Sequence, residues 1–164
     1  MKLRDIVIAV IILGVIGFIL YNISTTDNTP ELDVTPTPSA VERDIEERFG
    51  RTIPEDVERA ELIMPSGVSR DQISAIATRD VRDKVTIVTV LADLDDPQPG
   101  TRYFAWVSND EEFVLLGALR VAKGGWLIDY ETDRNLTNYD RVVISQESQV
   151  SEQPKGVIVE GTFE

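Results

Sequence analysis

The hydrophobic pattern of the chain opens with an unbroken apolar segment. Residues 6–23 contain no charged side chain, and a helix needs roughly 17 to 25 mostly apolar residues to cross a bilayer. Lys2 and Arg4 precede this segment, whereas Asp27 follows it. Because basic residues favour the cytoplasmic side, the pattern predicts a single-pass protein of the cell membrane. It has a cytoplasmic tail at residues 1–5, a transmembrane signal anchor at residues 6–23 and an extracytoplasmic C-terminal domain.

A cleaved signal peptide is the competing interpretation of this segment. Its apolar core is typically about 7 to 15 residues long behind a basic start, and Ile6–Leu20 alone fits that description. The following residues, Leu20 to Ser24, contain no pair of small residues with the spacing of a cleavage site. The sequence therefore favours an uncleaved anchor.

A linker and a short helix are predicted next. Residues 24–39 interleave Pro30, Pro36 and Pro38 with polar residues, a composition typical of a semi-extended linker. Ser39 followed by Glu42 is a capping-box signature. Apolar residues then recur at every fourth position, namely Val41, Ile45 and Phe49, and Gly50 is a stop signal. We therefore predict a short amphipathic helix in residues 40–50 that packs on the following domain.

Beyond residue 55 the apolar pattern changes to the period of two that is typical of β-strands. The predicted strands are Glu58–Ile63, Ile73–Arg79, Lys84–Ala92, Tyr103–Ser108, Phe113–Val121, Trp126–Tyr130, Val142–Ser145 and Gly156–Phe163. Of these, Lys84–Ala92 is apolar on both faces, as a central strand covered on both sides would be. Short strands separated by turn signals indicate an antiparallel sandwich or barrel. We predict an all-β fold in residues 55–164, an antiparallel β-sandwich of about eight strands.

One of these segments combines alternation with a glycine. The pattern in Phe113–Val121 places four apolar side chains on one face, namely Phe113, Leu115, Leu119 and Val121. Gly117 interrupts this segment and indicates a β-bulge or a close approach of another backbone. Shortly afterwards, Lys123-Gly124-Gly125 predicts a turn, because glycine adopts positive φ without steric cost.

An ordered set of short motifs in the C-terminal half resembles a known family. The motifs are Pro99-Gly100, Tyr103-x-x-Trp106-Val107, Leu116-Gly117, Gly124-Gly125, Val143-Ile144-Ser145-x-Glu147 and Pro154-x-Gly156-Val157-Ile158-Val159-x-Gly161. In this order they resemble the extracytoplasmic C-terminal domain of the anti-sigma-K factor family, most clearly over Leu91–Gly161. The resemblance implies a β-sandwich carried on a single membrane span.

The chain departs from that family before the apolar segment. As the resemblance implies, family members carry a cytoplasmic helical domain there, often zinc-binding through His and Cys, that sequesters a sigma factor. This chain has five residues there, and its composition includes no His and no Cys. The resemblance therefore extends to the exported module and not to sigma binding, and fold similarity alone does not establish function.

Charge and composition restrict the kinds of binding partner that we expect. The chain has 16 basic and 29 acidic residues, and leaving out Lys2, Arg4 and Asp5 gives 14 and 28, a net charge of −14 for the exported part. Such a surface repels nucleic acid and anionic lipid headgroups, so no nucleic-acid partner is expected. Solubility explains the acidity better than a specific cationic partner does. Without cysteine there are no disulfides, so core burial must supply the stability.

The sequence offers no convincing catalytic or metal site. The absence of Cys and His excludes Cys-His and Ser-His-Asp catalysis and imidazole-ligated zinc. Two acidic clusters remain, one of Asp93, Asp95 and Asp96, the other of Asn109, Asp110, Glu111 and Glu112. They flank opposite ends of Tyr103–Ser108 and lack the spacing of a calcium loop. We therefore predict no catalytic, cofactor-binding or metal-ligating residue, no cofactor, and a protein that is not an enzyme.

The aromatic side chains are the last candidate ligand surface. They are Tyr103, Phe104, Trp106, Trp126, Tyr130 and Tyr139. Alternation places Phe104 and Trp106 on one face of their strand and Tyr103 on the other, so the set cannot form one platform. Core packing, with polar tips that reach hydrogen-bond partners, is the favoured interpretation.

Two function classes remain, and a third, a carboxylate-dependent hydrolase, is disfavoured because the sequence shows no convergent set of polar residues. We favour a membrane-anchored extracytoplasmic binding or sensory module, whose partners are the membrane itself and an unidentified protein or envelope component. As a detached relative of anti-sigma-K regulators, it would act with a separate cytoplasmic partner. The alternative is a structural or assembly protein of the cell envelope.

Overall fold

The computed structural model describes residues 37–65, 73–109 and 111–164. The predicted tail, membrane anchor and most of the linker lie outside these ranges. Within them there is one helix, α1 (Ala40–Phe49), which is too short to cross a membrane. The nine strands are β1 (Glu58–Glu61), β2 (Ser74–Arg82), β3 (Val85–Asp93), β4 (Arg102–Ser108), β5 (Phe113–Ala118), β6 (Arg120–Ala122), β7 (Gly125–Thr132), β8 (Arg141–Glu147) and β9 (Val157–Thr162).

Helix α1 has the boundaries that its local sequence predicts. The Ser39 hydroxyl accepts a hydrogen bond from the Glu42 amide at 3.1 Å, and the Glu42 carboxylate accepts one from the Ser39 amide at 2.8 Å. Gly50 ends the helix in the left-handed region at φ 61°, and its amide donates to the Glu46 carbonyl at 2.8 Å. The two buried side chains of the helix are Ile45 and Phe49, two of the three positions in the predicted apolar stripe.

The strands form two antiparallel sheets, which confirms the predicted all-β architecture for the described residues. Sheet A has the order β1-β2-β3-β7-β6, and sheet B has the order β5-β4-β8-β9. Every strand pair within them is antiparallel. This arrangement is consistent with a β-sandwich, with nine strands where about eight were predicted.

The additional strand comes from the segment that was predicted as one strand at Phe113–Val121. That prediction is wrong, because β5 belongs to sheet B and β6 to sheet A, and the chain changes sheets at Leu119. The predicted bulge is confirmed: Ala105 faces Gly117 and Trp106 faces Leu115 across the ladder, which leaves one extra residue between them. Gly117 has φ 138°, a conformation that favours glycine.

The bulge also overturns the predicted single apolar face of this segment. Leu116, the extra residue, and Leu119 are buried between the sheets, whereas Phe113 and Leu115 pack on the outer face of sheet B. Val121 is 73% exposed. One inserted residue reverses the side-chain alternation of a strand, which is why a strict period of two fails here.

The two sheets are joined at both lateral edges. The bend at Leu119 joins them on one side. On the other, backbone hydrogen bonds join the chain around β1 to the chain around β9. Ile63, just after β1, and Glu160 of β9 bond each other reciprocally at 2.8 Å, and the Glu164 amide, just after β9, donates to the Arg59 carbonyl of β1 at 2.9 Å. Strand β1 is thus bonded on both sides, which protects an otherwise open edge.

Apolar side chains form separate clusters on the two faces of sheet A. The larger cluster lies between the sheets and contains no residue of α1. A smaller cluster joins α1 and the chain after it to the outer face of sheet A, and it comprises Ile45, Phe49, Ile53, Ile76, Leu91 and Leu127. The helix is therefore an addition to a sandwich that has its own core.

Candidate functional site

The first predicted acidic cluster lies beside helix α1. The Asp93 carboxylate, at the end of β3, forms an ion pair with Arg48 of α1 at 2.7 Å. Asp95 contributes its backbone carbonyl, which accepts a hydrogen bond from the Tyr103 hydroxyl at 3.0 Å. The side chains of Asp95 and Asp96 are exposed.

The second acidic cluster lies at the other end of β4, where it makes turn hydrogen bonds and contacts the loop between β7 and β8. The Asn109 side-chain oxygen accepts hydrogen bonds from the amides of Glu111 and Glu112, both at 2.9 Å. The Glu112 carboxylate accepts hydrogen bonds from Tyr139 and Arg134. Asp110 lies outside the described residues. The structure does not bring the two clusters together, and no group of acidic side chains in the described ranges is arranged to hold a metal ion.

The aromatic side chains divide between faces as predicted. Phe104 and Trp106 lie in a cluster on the outer face of sheet B, whereas Tyr103 lies between the sheets. The rings of Tyr103 and Trp126 pack edge to face, with their centroids 5.3 Å apart. The Trp126 indole nitrogen donates a hydrogen bond to the Leu94 carbonyl at 3.1 Å. These are the contacts of core aromatics with satisfied polar tips.

A cleft of about 840 Å³ lies beside α1. We call it the acidic cleft. Its polar lining consists of Asp44, Arg48, Ser74, Asp93, Asp95, Tyr103 and Gln146. Arg48 bridges the lining, because it pairs with Asp44 at 3.1 Å within the helix and with Asp93 of sheet A. Three carboxylates against one guanidinium leave the lining with a net charge of about −2.

A second cleft, of about 690 Å³, involves the first turn of α1. Here the Arg59 Nε lies 3.0 Å from the Glu42 carboxylate, in an ion pair whose angle falls outside hydrogen-bond geometry. A further Arg59 nitrogen donates to the Pro54 carbonyl at 2.6 Å. Arg141 and Glu160 form another ion pair in the lining. Both large clefts are thus lined partly by α1, which makes the helix and its surroundings the candidate functional site.

Electrostatics favour the charged forms of Asp44 and Arg48 in the acidic cleft. A hydrogen bond from the Ser74 hydroxyl lowers the pKa of Asp44, and Arg48 lowers it further against the opposing effect of burial. The hydrogen bond to Asp44 and the nearby charge of Asp93 raise the pKa of the Arg48 guanidinium. Asp44 and Arg48 therefore stay charged, and paired with each other, throughout the neutral pH range.

Sequence reasoning found only part of this site. It singled out Asp93 and Asp95 as members of a cluster but attached no role to Asp44, Arg48 or Ser74. The spacing of Asp44 and Arg48, four residues apart on a predicted helix, is a signal for their ion pair. Their contacts with sheet A carry no comparable signal, since the partners are distant in sequence.

A buried carboxylate, Glu147, fixes the loop between β8 and β9. The Ser145 hydroxyl donates to Glu147 at 2.7 Å and itself accepts a hydrogen bond from the Trp106 indole at 2.9 Å. The Lys155 amide and the Ser151 hydroxyl each donate to the same carboxylate at 2.8 Å. Burial raises the pKa of Glu147, but the hydrogen bonds outweigh it, so the pKa lies below the ordinary value of 4.5.

The lowered pKa of Glu147 predicts a contribution to folding stability that is lost in acid. The folded state binds this proton less readily than the unfolded state, so the stabilisation is present above pH 4.5 and is lost as the pH falls through the folded-state pKa. We expect Glu147→Gln to lower the free energy of unfolding at pH 7 by about 1–3 kcal/mol, with a smaller difference from the parent at pH 3. Urea unfolding of the full chain in detergent between pH 3 and 7 measures this.

Glu152→Gln is the matched control, since Glu152 is an exposed carboxylate of the same loop. It should leave the pH dependence unchanged. An equal loss of stability for Glu147→Gln at pH 3 and pH 7 would contradict the assignment of this carboxylate as a stabilising anion.

Comparison of the chain with protein-family models, with curated proteins and with solved structures finds no match. The resemblance to the exported domain of anti-sigma-K factors therefore stays a prediction that rests on the motifs quoted above.

Proposed function

We propose that this protein is a single-pass, membrane-anchored extracytoplasmic binding or sensory module. It is similar to the exported domain of anti-sigma-K regulators, without sigma-binding activity of its own, and it is not an enzyme. The apolar segment at residues 6–23 and the proline-containing linker support the anchor. The absence of Cys and His from the chain supports binding over the commonest forms of catalysis.

The observation that carries the proposal is the position of the two large clefts. Both are lined in part by α1, the element that directly follows the linker in the sequence. A ligand in either cleft would contact the element through which the domain is connected to its anchor. This arrangement suits a module that reports binding to the membrane side.

The acidic cleft favours a partner that presents a basic group. Its volume of about 840 Å³ lies in the range of ligand sites, roughly 300–1,000 Å³, and its net charge attracts cations. We propose that a basic side chain of an envelope or membrane protein enters this cleft beside Arg48. The alternative function, a structural or assembly protein of the envelope, needs no such site.

Site-specific crosslinking in cells tests the proposal. A photo-crosslinking amino acid in place of Asp95, at the exposed rim of the acidic cleft, should give a discrete adduct with one membrane or envelope protein. The same residue in place of Glu131 is the control, because Glu131 is also an exposed carboxylate, on β7, and lines neither cleft. Equal adducts from both positions, or no adduct from position 95, would show that the acidic cleft is not the binding site. Recovery of wall or surface-layer material alone would favour the structural alternative.

Protease accessibility tests the topology on which the proposal depends. Protease added outside intact spheroplasts should digest the domain, because the positive-inside bias places it outside the membrane. Protection of the domain until the spheroplasts are lysed would show that the orientation is wrong.

A further inference from the structure

We propose that α1 is a strap: the whole helix detaches from sheet A in one cooperative step, while the two sheets stay folded together. The inference deepens the proposed function and rests on it in one respect: opening of α1 has a role in signalling only if the linker joins the helix to a membrane anchor. Opening would break the acidic cleft and uncover an apolar strip of sheet A, formed by Ile76, Leu91 and Leu127.

The separation of the apolar clusters is the first observation that supports a strap. The cluster between the sheets contains no side chain from α1. The helix instead packs on the outer face of sheet A, where Ile45 and Phe49 are its two buried residues. Removing α1 therefore exposes one face of sheet A and leaves the inter-sheet core and both lateral joints in place.

The weakness of the attachment is the second observation. The ten-residue helix packs on sheet A through the buried side chains of Ile45 and Phe49 and the partly buried Val41, and its Glu42 pairs with Arg59 of β1. A helix this short is not stable alone. The ion pair of Arg48 with Asp93 is partly exposed, and such pairs contribute little. Against these contacts stands the conformational entropy gained by the released segment. The opening of α1 therefore costs less free energy than unfolding of the nine-stranded sandwich.

The acidic cleft couples binding to the strap. Two of its contacts, Arg48 with Asp93 and Asp44 with Ser74, join α1 to sheet A, so the cleft exists only while α1 is docked. A ligand that binds across this junction raises the equilibrium constant for docking of α1. By linkage, release of α1 lowers the affinity for that ligand by the same factor. The strap thus links the anchor side of the domain with the occupancy of the cleft.

Native-state hydrogen exchange tests the strap on the full chain in lipid nanodiscs at increasing urea below the unfolding transition. We expect the amides of Ile45–Gly50 to share one protection factor, at least about 100-fold below that of β4, with a weak dependence on urea. Identical protection and identical urea dependence for α1 and β4 would overturn the proposal. So would a gradient of protection along α1, which is the signature of fraying from one end.

A reversible crosslink supplies the matched control. The chain contains no cysteine, so Asp44→Cys combined with Ser74→Cys can form only one intramolecular disulfide, between α1 and β2. We expect oxidation to reduce the difference in protection between α1 and β4 at least about tenfold, and reduction of the same sample to restore it. An unchanged difference in the oxidised protein would contradict unit opening.

The strap and the proposed function can fail separately. Strap opening without a crosslinked partner at position 95 would leave the inference intact and remove the binding role. A partner crosslinked at position 95, together with a helix α1 that never opens, would support the binding role and contradict the strap. If the cysteine pair does not oxidise, the urea dependence of the parent protein decides the question.

Discussion

Replacement of Arg79 by alanine is expected to lower the free energy of unfolding by about 3 kcal/mol, because a buried carbonyl loses its donor and a buried side chain leaves a cavity. Arg79 is only 3% exposed. Its Nη1 donates to the carbonyls of Leu136 at 2.8 Å and Tyr139 at 3.0 Å, and its Nε pairs with Glu58. The guanidinium carbon also lies 4.4 Å from the ring centre of Phe163.

The size of this effect follows from what the substitution leaves behind. The loop between β7 and β8 directs two carbonyls at the guanidinium. The Leu136 carbonyl also accepts a hydrogen bond from the Tyr139 amide at 3.1 Å, whereas the Tyr139 carbonyl has no second donor among the described residues. A buried acceptor without a donor costs about 1–3 kcal/mol. Alanine would also leave a cavity beneath Phe163. Lysine retains the charge but lacks the planar fork in which Nη1 reaches the carbonyls while Nε pairs with Glu58, so Arg79→Lys should recover only part of the stability.

Arg82→Ala is the matched control, because Arg82 lies on the same strand but is 62% exposed and pairs with Asp80 at the surface. It should change the unfolding free energy by less than about 1 kcal/mol. Urea unfolding of the full chain in detergent measures all three variants. A loss for Arg79→Ala no larger than that for Arg82→Ala would show that the guanidinium does not anchor the loop.

Local patterns predicted the parts of the fold that depend on neighbouring residues. The cap of α1 needs only Ser39, Glu42 and Gly50, which lie within one short segment, so it was readable from the sequence. The strands were readable from their period. The transfer of the chain from β5 to β6 was not, because the bulge before Gly117 becomes visible only as a shift in register against β4.

The candidate site depends on contacts that no local pattern encodes. The helix spacing of Asp44 and Arg48 is visible in the sequence, but the approach of Asp93 and Ser74 to them is a result of packing. Arg79 illustrates the same limit. In the sequence it looks like the charged end of a strand, and only the return of the β7–β8 loop and of the C-terminus makes it a buried anchor.

The motifs that carry the family resemblance occupy structural positions in this domain. Gly117 lies next to the bulge, and Gly124 lies so close to α1 that a Cβ would approach the Phe49 nitrogen to 3.0 Å. Trp106 and Glu147 belong to one hydrogen-bonded network. Such motifs describe how this sandwich is built, so by themselves they indicate a fold and not a function. The acidic cleft, by contrast, draws most of its polar lining from residues outside the motifs.

Gly161→Ala is expected to cost about 3 kcal/mol of stability, at the upper end of the range for overpacking. Gly161 does not have a positive φ, so alanine meets no backbone strain of its own. The obstacle is β1: a Cβ on Gly161 would overlap the Glu61 carbonyl oxygen and lie 2.9 Å from the Leu62 side chain. Since the obstructing atom is backbone, β1 must move away from β9, and the reciprocal bonds between Ile63 and Glu160 are lost with it.

Gly100→Ala separates this steric cost from the conformational cost of replacing a glycine. Gly100 has φ 81°, which strains an alanine, but no atom lies within 4 Å of its Cβ position. Its substitution should cost about 1–2 kcal/mol, the penalty for one left-handed residue. Urea unfolding should therefore rank Gly161→Ala as the more harmful change, and hydrogen exchange should show faster exchange at Ile63 and Glu160 in that variant alone. The reverse ranking would mean that β1 and β9 can separate at little cost, so that the lateral joint between the sheets contributes little to the stability of the domain.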